Sequence, residues 1–386
     1  MYTHKTPLKS YLPIRSRTLY KGIIGGETDH YTYENNEWWQ LYRDDKSIAH
    51  EYVGEYSTDL YSKEARTIIA NHNADKPMFM YLAFQAAHVP LQAPDSYIDM
   101  YSHITDPDRR VYAAMVTCMD DAIGSVVEQL KQSGLWNNTV LVVSTDNGGP
   151  HASGNNWPLK GAKATLWEGG VRGVGFVTSP LLDYRVRGSS NHQLIHVTDW
   201  LPTFVSLAGG DSNEIKSMDL YGVDQWNTIS KNQPSMRDDV LINLVPESLM
   251  NKAKTKDRWT ENEYFDVGIK AAVRVGDWKL LTGHQGPAIW FAAPESDHDT
   301  VYESDNRIVR LYNLAEDPTE SNNLADSRTD KVLQCLKKLG EYLPTVLPVL
   351  NEPSINQDEA ELLMPNHILA PWDLAAYKKI ALLKLG

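Results

Sequence analysis

The chain has only two cysteines, Cys118 and Cys335, and no Cys-x-x-Cys spacing. At most one bridge could form, which excludes a disulfide-stapled scaffold, and a cysteine metal site has no ligands to draw on. No apolar run approaches the roughly 18 residues that a membrane helix needs. The opening residues also show none of the basic, apolar and small-residue zones of a secretory leader. Positive charge is in deficit: 37 Lys plus Arg face 50 Asp plus Glu, a formal net charge of −13, with no long Lys/Arg stretch. A phosphate-tracking surface has little to be built from, so nucleic acid is not an expected partner. Protonation of the 12 histidines in an acidic compartment would bring the charge close to zero. Repulsion of an anionic substrate would fade with it.

The 386 residues are 42% apolar, enough for a large core and too many for a disordered tail. The length favours two domains, and a change of pattern divides the chain into 1–235 and 236–386. Residues 1–56 are rich in aromatics, glycine and charge without periodicity and read as irregular. A helix is expected from Ser57, with Tyr61, Ala65 and Ile68 inward. Met78-Phe79-Met80-Tyr81-Leu82-Ala83-Phe84 has the composition of a buried strand and leads to a loop carrying His88. The clearest helix runs from about Arg110 to Ser133, with Met115, Met119, Ala122, Val126 and Leu130 recurring, and Gly134 stops it. Cys118 lies within it and reads as a small buried side chain.

Thr139 to Ser144 is β-branched and apolar, which predicts a central parallel strand buried on both faces and closing a βαβ crossover. A Gly-rich loop, a short strand over Gly173 to Val177, and a helix starting at Thr198-Asp199-Trp200-Leu201-Pro202 follow. Beyond 235, Ala272 to Val275 and Trp278 to Leu281 flank Gly276-Asp277 as a hairpin. Leu311 to Leu314, before the turn at Asp317-Pro318, adds a strand to a small antiparallel sheet. A helix with Leu333, Leu336 and Leu339 comes next, and Tyr377 to Leu385 is a basic amphipathic stretch, read as a docking or solvated helix.

Asp146-Asn147-Gly148-Gly149 follows the end of an apolar strand, where open α/β sheets place ligand sites. A carboxylate beside an amide oxygen suits a hard cation, and glycine permits close backbone approach; a plain Asn-Gly turn fits the same letters. His88 is a candidate proton donor if its loop reaches the same edge, although a lone loop histidine is more often a satisfied or exposed one. Lys160 and Lys163, between Gly-rich segments, could meet an oxyanion or face only water. Asn137-Asn138-Thr139 is a glycosylation sequon.

These residues carry a resemblance. Ala83-Phe84-Gln85-Ala86-Ala87-His88-Val89-Pro90-Leu91-Gln92, Ser144 to Gly149, Gly154 to Gly161 and Leu166-Trp167-Glu168-Gly169-Gly170-Val171-Arg172 resemble type I sulfatases, nearest to the arylsulfatase B branch. Thr198 to Thr203 and Leu311 to Leu314 with Asp317-Pro318 continue the likeness, which covers about residues 20 to 350 in order. It implies an alkaline-phosphatase-like α/β fold, a mostly parallel sheet flanked by helices plus a small C-terminal antiparallel sheet. It also implies hydrolysis of aryl sulfates or sulfated glycosaminoglycan sugars with Ca²⁺, in a lysosomal or secreted setting. By the same resemblance Asp146 and Asn147 match metal ligands, and His88 matches the histidine that assists the leaving oxygen. Lys163 matches the sulfate-binding lysine, and Lys160 and Trp157 are candidates for substrate contact. The roles are chemically coherent: cations gather the charge developing on the transferring group, and an acid neutralises the departing alkoxide.

The family pattern also has an upstream aspartate pair, a Cys-x-Pro-Ser-Arg motif whose cysteine becomes formylglycine, and a Lys-Trp-His-Leu-Gly segment; none occurs here. Cys118 precedes Met119-Asp120-Asp121 and Cys335 precedes Leu336-Lys337-Lys338, so neither matches the modified residue. The expectation is a sulfatase chain that begins inside the catalytic domain. The alternative is a sulfatase-like module that binds sulfated glycans without turning them over. A phosphoesterase of the same superfamily fits the downstream motifs less well.

Overall fold

The computed structural model describes residues 21–23, 28–35, 38–39, 41–43, 47–211, 220–245, 257–293 and 295–346. The stretch Tyr377 to Leu385 lies outside the described residues. Helix α1 (Ser57–Ala70) turns Leu60, Tyr61, Ala65 and Ile69 inward; Ile69 takes the buried place expected of Ile68. A short helix α2 (Asp95–Met100) leads to α3 (Pro107–Gln132). The latter begins three residues before the periodicity predicts, because Pro107 occupies its first position and Asp106 caps it by accepting from the Arg109 N–H. Ala65 and Ile69 of α1 pack against Val126 and Leu130 of α3, with Met80 and Leu82 against the same cluster.

Met78 to Phe84 is a correction. The run is extended, but no ladder pairs it among the described residues, and its faces alternate. Met80, Leu82 and Phe84 pack inward, whereas Phe79 is 73% and Tyr81 84% exposed. Thr139 to Ser144 departs in the same way. Its strand, Leu141–Ser144, is half-buried and pairs antiparallel with Gly175–Thr178, from Leu141 opposite Thr178 to Ser144 opposite Gly175. Every ladder among the described residues is antiparallel. The region before residue 57 is less irregular than its composition implies: Lys21–Ile23, Leu41–Arg43 and Ser47–Ile48 form a three-stranded sheet.

The C-terminal sheet follows expectation. Its strands lie in the order Val309–Asn313, Trp278–Thr282, Ala271–Val275, Asp239–Leu244. Gly276 supplies the positive φ, 56°, in the two-residue hairpin turn. The helix Thr329–Tyr342 covers one face with Val332, Cys335, Leu336 and Leu339, all fully buried. Leu333, expected inward, is 41% exposed because Val332 occupies the sheet-facing register.

Candidate active site

The turn after the Leu141–Ser144 strand is built on contacts that leave no room for side chains. A Cβ on Gly148 would stand 1.8 Å from the Gly169 carbonyl oxygen, so only glycine fits there. The Gly148 N–H donates to Gly170 O at 3.0 Å, and Gly169 N donates to Lys160 O at 2.7 Å. Asn156 clamps Gly149 from both sides: its Oδ1 accepts from Gly149 N at 2.8 Å and its Nδ2 donates to Gly149 O at 2.9 Å. The same Gly149 carbonyl accepts from the Lys163 N–H at 3.1 Å. The turn and the loop that follows it are thereby laced into one rim.

On that rim Asp146 is exposed, and its Oδ1 accepts from Asn147 N at 2.9 Å. Asn147 donates its own side-chain amide to Gly148 O at 2.9 Å. Asp146 and Asn147 offer hard oxygen donors of the kind Ca²⁺ takes. They are two where about six to eight are needed, and among the described residues no group of three or more His, Cys, Asp or Glu gathers around a common point.

His88 and Lys163 come together. Lys163 Nζ lies 2.9 Å from His88 Nε2, and His88 Nδ1 lies 3.1 Å from Val89 O. A carbonyl only accepts and an ammonium only donates, so Nδ1 carries the ring proton and Nε2 offers its lone pair to Lys163. The Lys163 side chain is exposed and His88 half-buried, so both are open to a ligand.

Lys160 requires a correction. Its side chain is 0% exposed, with the ammonium 4.5 Å from the Trp167 ring centroid, 4.2 Å from Trp290 and 5.0 Å from Tyr312. Glu303 closes the cage at 3.2 Å. Burial pulls its pKa down although Glu303 opposes this. An ammonium already enclosed by three rings and a carboxylate has nothing to present to a substrate. Trp157 is half-buried and stacks on His298, with centroids 4.9 Å apart and 20° between planes. Asn137 is exposed in the short 3-10 turn Trp136–Asn138.

Both cysteines are buried, and burial pushes each thiol up to about 12. Neither is poised to become a thiolate.

Several supporting residues escape a reading of the sequence. Lys279, in an otherwise apolar strand, is fully buried between Glu168 at 2.8 Å and Glu320 at 2.9 Å. Glu320 also accepts from the Glu168 N–H at 2.7 Å and sits at a positive φ of 56°, a conformation that only surrounding structure can hold. Although burial works against it, Lys279 keeps the Glu168 carboxyl below its usual range, while burial lifts that of Glu320. This triad anchors the segment bearing Gly169 and Gly170, and through it the rim. The lysine within Trp278-Lys279-Leu280-Leu281 was the available signal. Gln85 and Gln92, flanking His88, are the other missed pair.

The sulfatase family profile matches residues 13–210. Mouse arylsulfatase J is 37% identical over 372 residues, which cover 93% of this chain and 61% of that protein. Mouse N-acetylgalactosamine-6-sulfatase is 30% identical over 182 residues, 46% of this chain and 33% of that protein. The chain thus spans about three fifths, or less, of the length of these relatives. The crystal structure of Ps i-CgsB in complex with k-i-k-neocarrahexaose superposes with a TM-score of 0.64 at 25% identity, over 84% of this chain and 66% of that one. The profile match over half of the chain shows that it belongs to the sulfatase family, and the relatives and the superposition give it that family's α/β fold.

Proposed function

We propose that this chain carries the sulfate-gripping, leaving-group side of a sulfuric ester hydrolase of the arylsulfatase B type. The observation that carries the reading is the 2.9 Å pairing of His88 Nε2 with Lys163 Nζ on the rim that also bears Asp146. Lys163 binds a sulfate oxygen. His88, protonated at Nε2, gives that proton to the ester oxygen as its bond to sulfur breaks and sulfur bonds to the oxygen of an attacking water, ester plus water giving alcohol plus sulfate, and is left as the neutral ring described above. Asp146 and Asn147 would contribute oxygens to a calcium ion, which when bound neutralises charge on the sulfate. They are too few to complete its shell, so no step is assigned to it. Trp157 offers a ring edge to a sugar. The likeness to N-acetylgalactosamine-6-sulfatase supports a sulfated amino sugar of a glycosaminoglycan as substrate class, and exposed Asn137 is compatible with glycosylation in a lysosomal or secreted setting.

A second reading, a sulfated-glycan-binding module without turnover, is favoured by one fact: both cysteine thiols are buried and held protonated. Calorimetry with N-acetylgalactosamine 6-sulfate, its unsulfated parent and the 6-phosphate tests the shared core of both readings. The sulfated sugar is expected to bind, and His88→Ala or Lys163→Met to weaken it by about tenfold or more, as loss of a hydrogen bond to a charged group predicts. Equal affinity for sulfated and unsulfated sugar would overturn the reading. Preference for the phosphate would favour a phosphoesterase.

A further inference from the structure

We infer that His30 is the positioning residue for His88: it grips the His88 carbonyl from beneath and so sets the imidazole against Lys163. The inference rests on the reading of His88 as the group that serves the leaving oxygen. Its observations are separate from that reading.

His30 is 0% exposed and stacks on Tyr56, with ring centroids 5.4 Å apart and 25° between planes. Its Nε2 lies 3.2 Å from His88 O and its Nδ1 2.8 Å from Ser57 Oγ. The carbonyl can only accept, so Nε2 carries the proton and donates, and Nδ1 accepts from the Ser57 hydroxyl. Both ring nitrogens are satisfied by a neutral imidazole. Burial lowers the pKa of His30, which maintains that neutral form.

The neighbours of His30 make the grip part of a clamp. Gln85 donates its amide to Thr28 O. The His30 N–H donates to Gln92 Oε1 at 2.8 Å, and Gln92 Nε2 donates to Asp29 Oδ2 at 2.5 Å. Asp29 in turn accepts from Tyr31 N at 2.9 Å and Thr32 N at 2.7 Å. Three consecutive residues therefore hold the loop at position 85, at its middle and at position 92. The middle contact is made by a ring that no sulfate chemistry uses and that reaches no solvent. A positioning task accounts for a buried, fully partnered histidine directly below the reacting one.

The test is the reactivity of His88 Nε2 toward diethylpyrocarbonate at pH 7, followed by mass spectrometry of the His88 peptide in the purified 386-residue chain. A ¹⁵N ring spectrum reports the His88 tautomer in parallel. His30→Phe keeps the stack on Tyr56 but removes the donor; His30→Gln keeps a donor. We expect His30→Phe to raise the His88 rate about tenfold, the scale of one lost hydrogen bond, and to lose the single Nδ1–H tautomer. His30→Gln should stay within about twofold of the parent. Equal rates in the parent and His30→Phe, or equal acceleration by Phe and Gln, would overturn the inference. If His30→Phe does not fold, Ser57→Ala, which frees the His30 ring, gives the same comparison. Lys163→Met separates the two ideas. If it accelerates His88 while His30→Phe does not, the pair stands and the positioning fails. If it does not, the His88–Lys163 pair itself fails, and the inference with it.

Discussion

Lys163 Nζ and His88 Nε2 stand 2.9 Å apart across 75 residues of sequence, each the hydrogen-bond complement of the other. The ring proton is fixed on Nδ1 by Val89 O, so the nitrogen facing the ammonium is the one with a free lone pair. Under the proposed reading, a tetrahedral oxyanion entering between them would meet the ammonium on one side and, once the ring is protonated, the Nε2–H on the other.

The proposed calcium ligands bear on metal affinity. Asp146 and Asn147 supply two oxygens where Ca²⁺ takes about six to eight, so the isolated chain should bind Ca²⁺ only weakly in calorimetry. A micromolar dissociation constant that Asp146→Ala abolishes would show that further ligands converge on this rim.

Turnover is the second matter. With both thiols buried and pushed up to about 12, neither cysteine is poised as a nucleophile toward sulfur. The purified chain is expected to release no phenol from an aryl sulfate. Measurable release that His88→Ala abolishes would refute this.

The buried triad sets a stability expectation. Lys279→Met would leave Glu168 and Glu320 facing each other without a counter-charge, and removing one partner of a buried ionic group typically costs about 3 to 5 kcal/mol. Urea denaturation reads that loss directly. The triple variant Lys279→Met, Glu168→Gln, Glu320→Gln should recover most of it, and a single-variant loss below about 1 kcal/mol would contradict the triad's role.

Stability should also fall in mild acid. Burial lowers the pKa of His30 and of His196, the latter with help from Arg237. A folded-state pKa below the ordinary 6.5 means that the unfolded chain binds more protons as the pH drops past that value. The contribution is whole above about 6.5 and is lost as the pH falls toward the depressed folded value. Melting temperatures from pH 7.5 down to pH 5 should decline, and His30→Gln with His196→Gln should flatten the decline. An unchanged slope would assign it to carboxylates instead.

Much of this was legible in the sequence where a pattern repeats. The α3 period, the Gly276-Asp277 turn and the strand at Leu311 each reflect local geometry, and each element is present, α3 starting three residues before its period indicates. The rim residues Asp146, Asn147, His88 and Lys163 could be named through motif resemblance, not through periodicity. What the letters hid were choices made by distant partners. Met78 to Phe84 has strand composition, but a ladder needs a neighbour, and none is described beside it. Lys160 and Lys163 look alike in sequence. Only the positions of Trp167, Trp290 and Tyr312 decide that one is caged and the other exposed. His30 sits in a segment without periodicity, and only the fold brings it beneath His88.

The ion triad also constrains the order in which the molecule can come into being. Glu168 is translated long before Lys279, so the amino-terminal segment leaves the ribosome with a carboxylate whose resting place is still unneutralised. The rim lacks its Lys279 anchor until that strand has been synthesised and docked. A polypeptide ending near residue 235 would carry Glu168 without the counter-charge that Lys279 supplies.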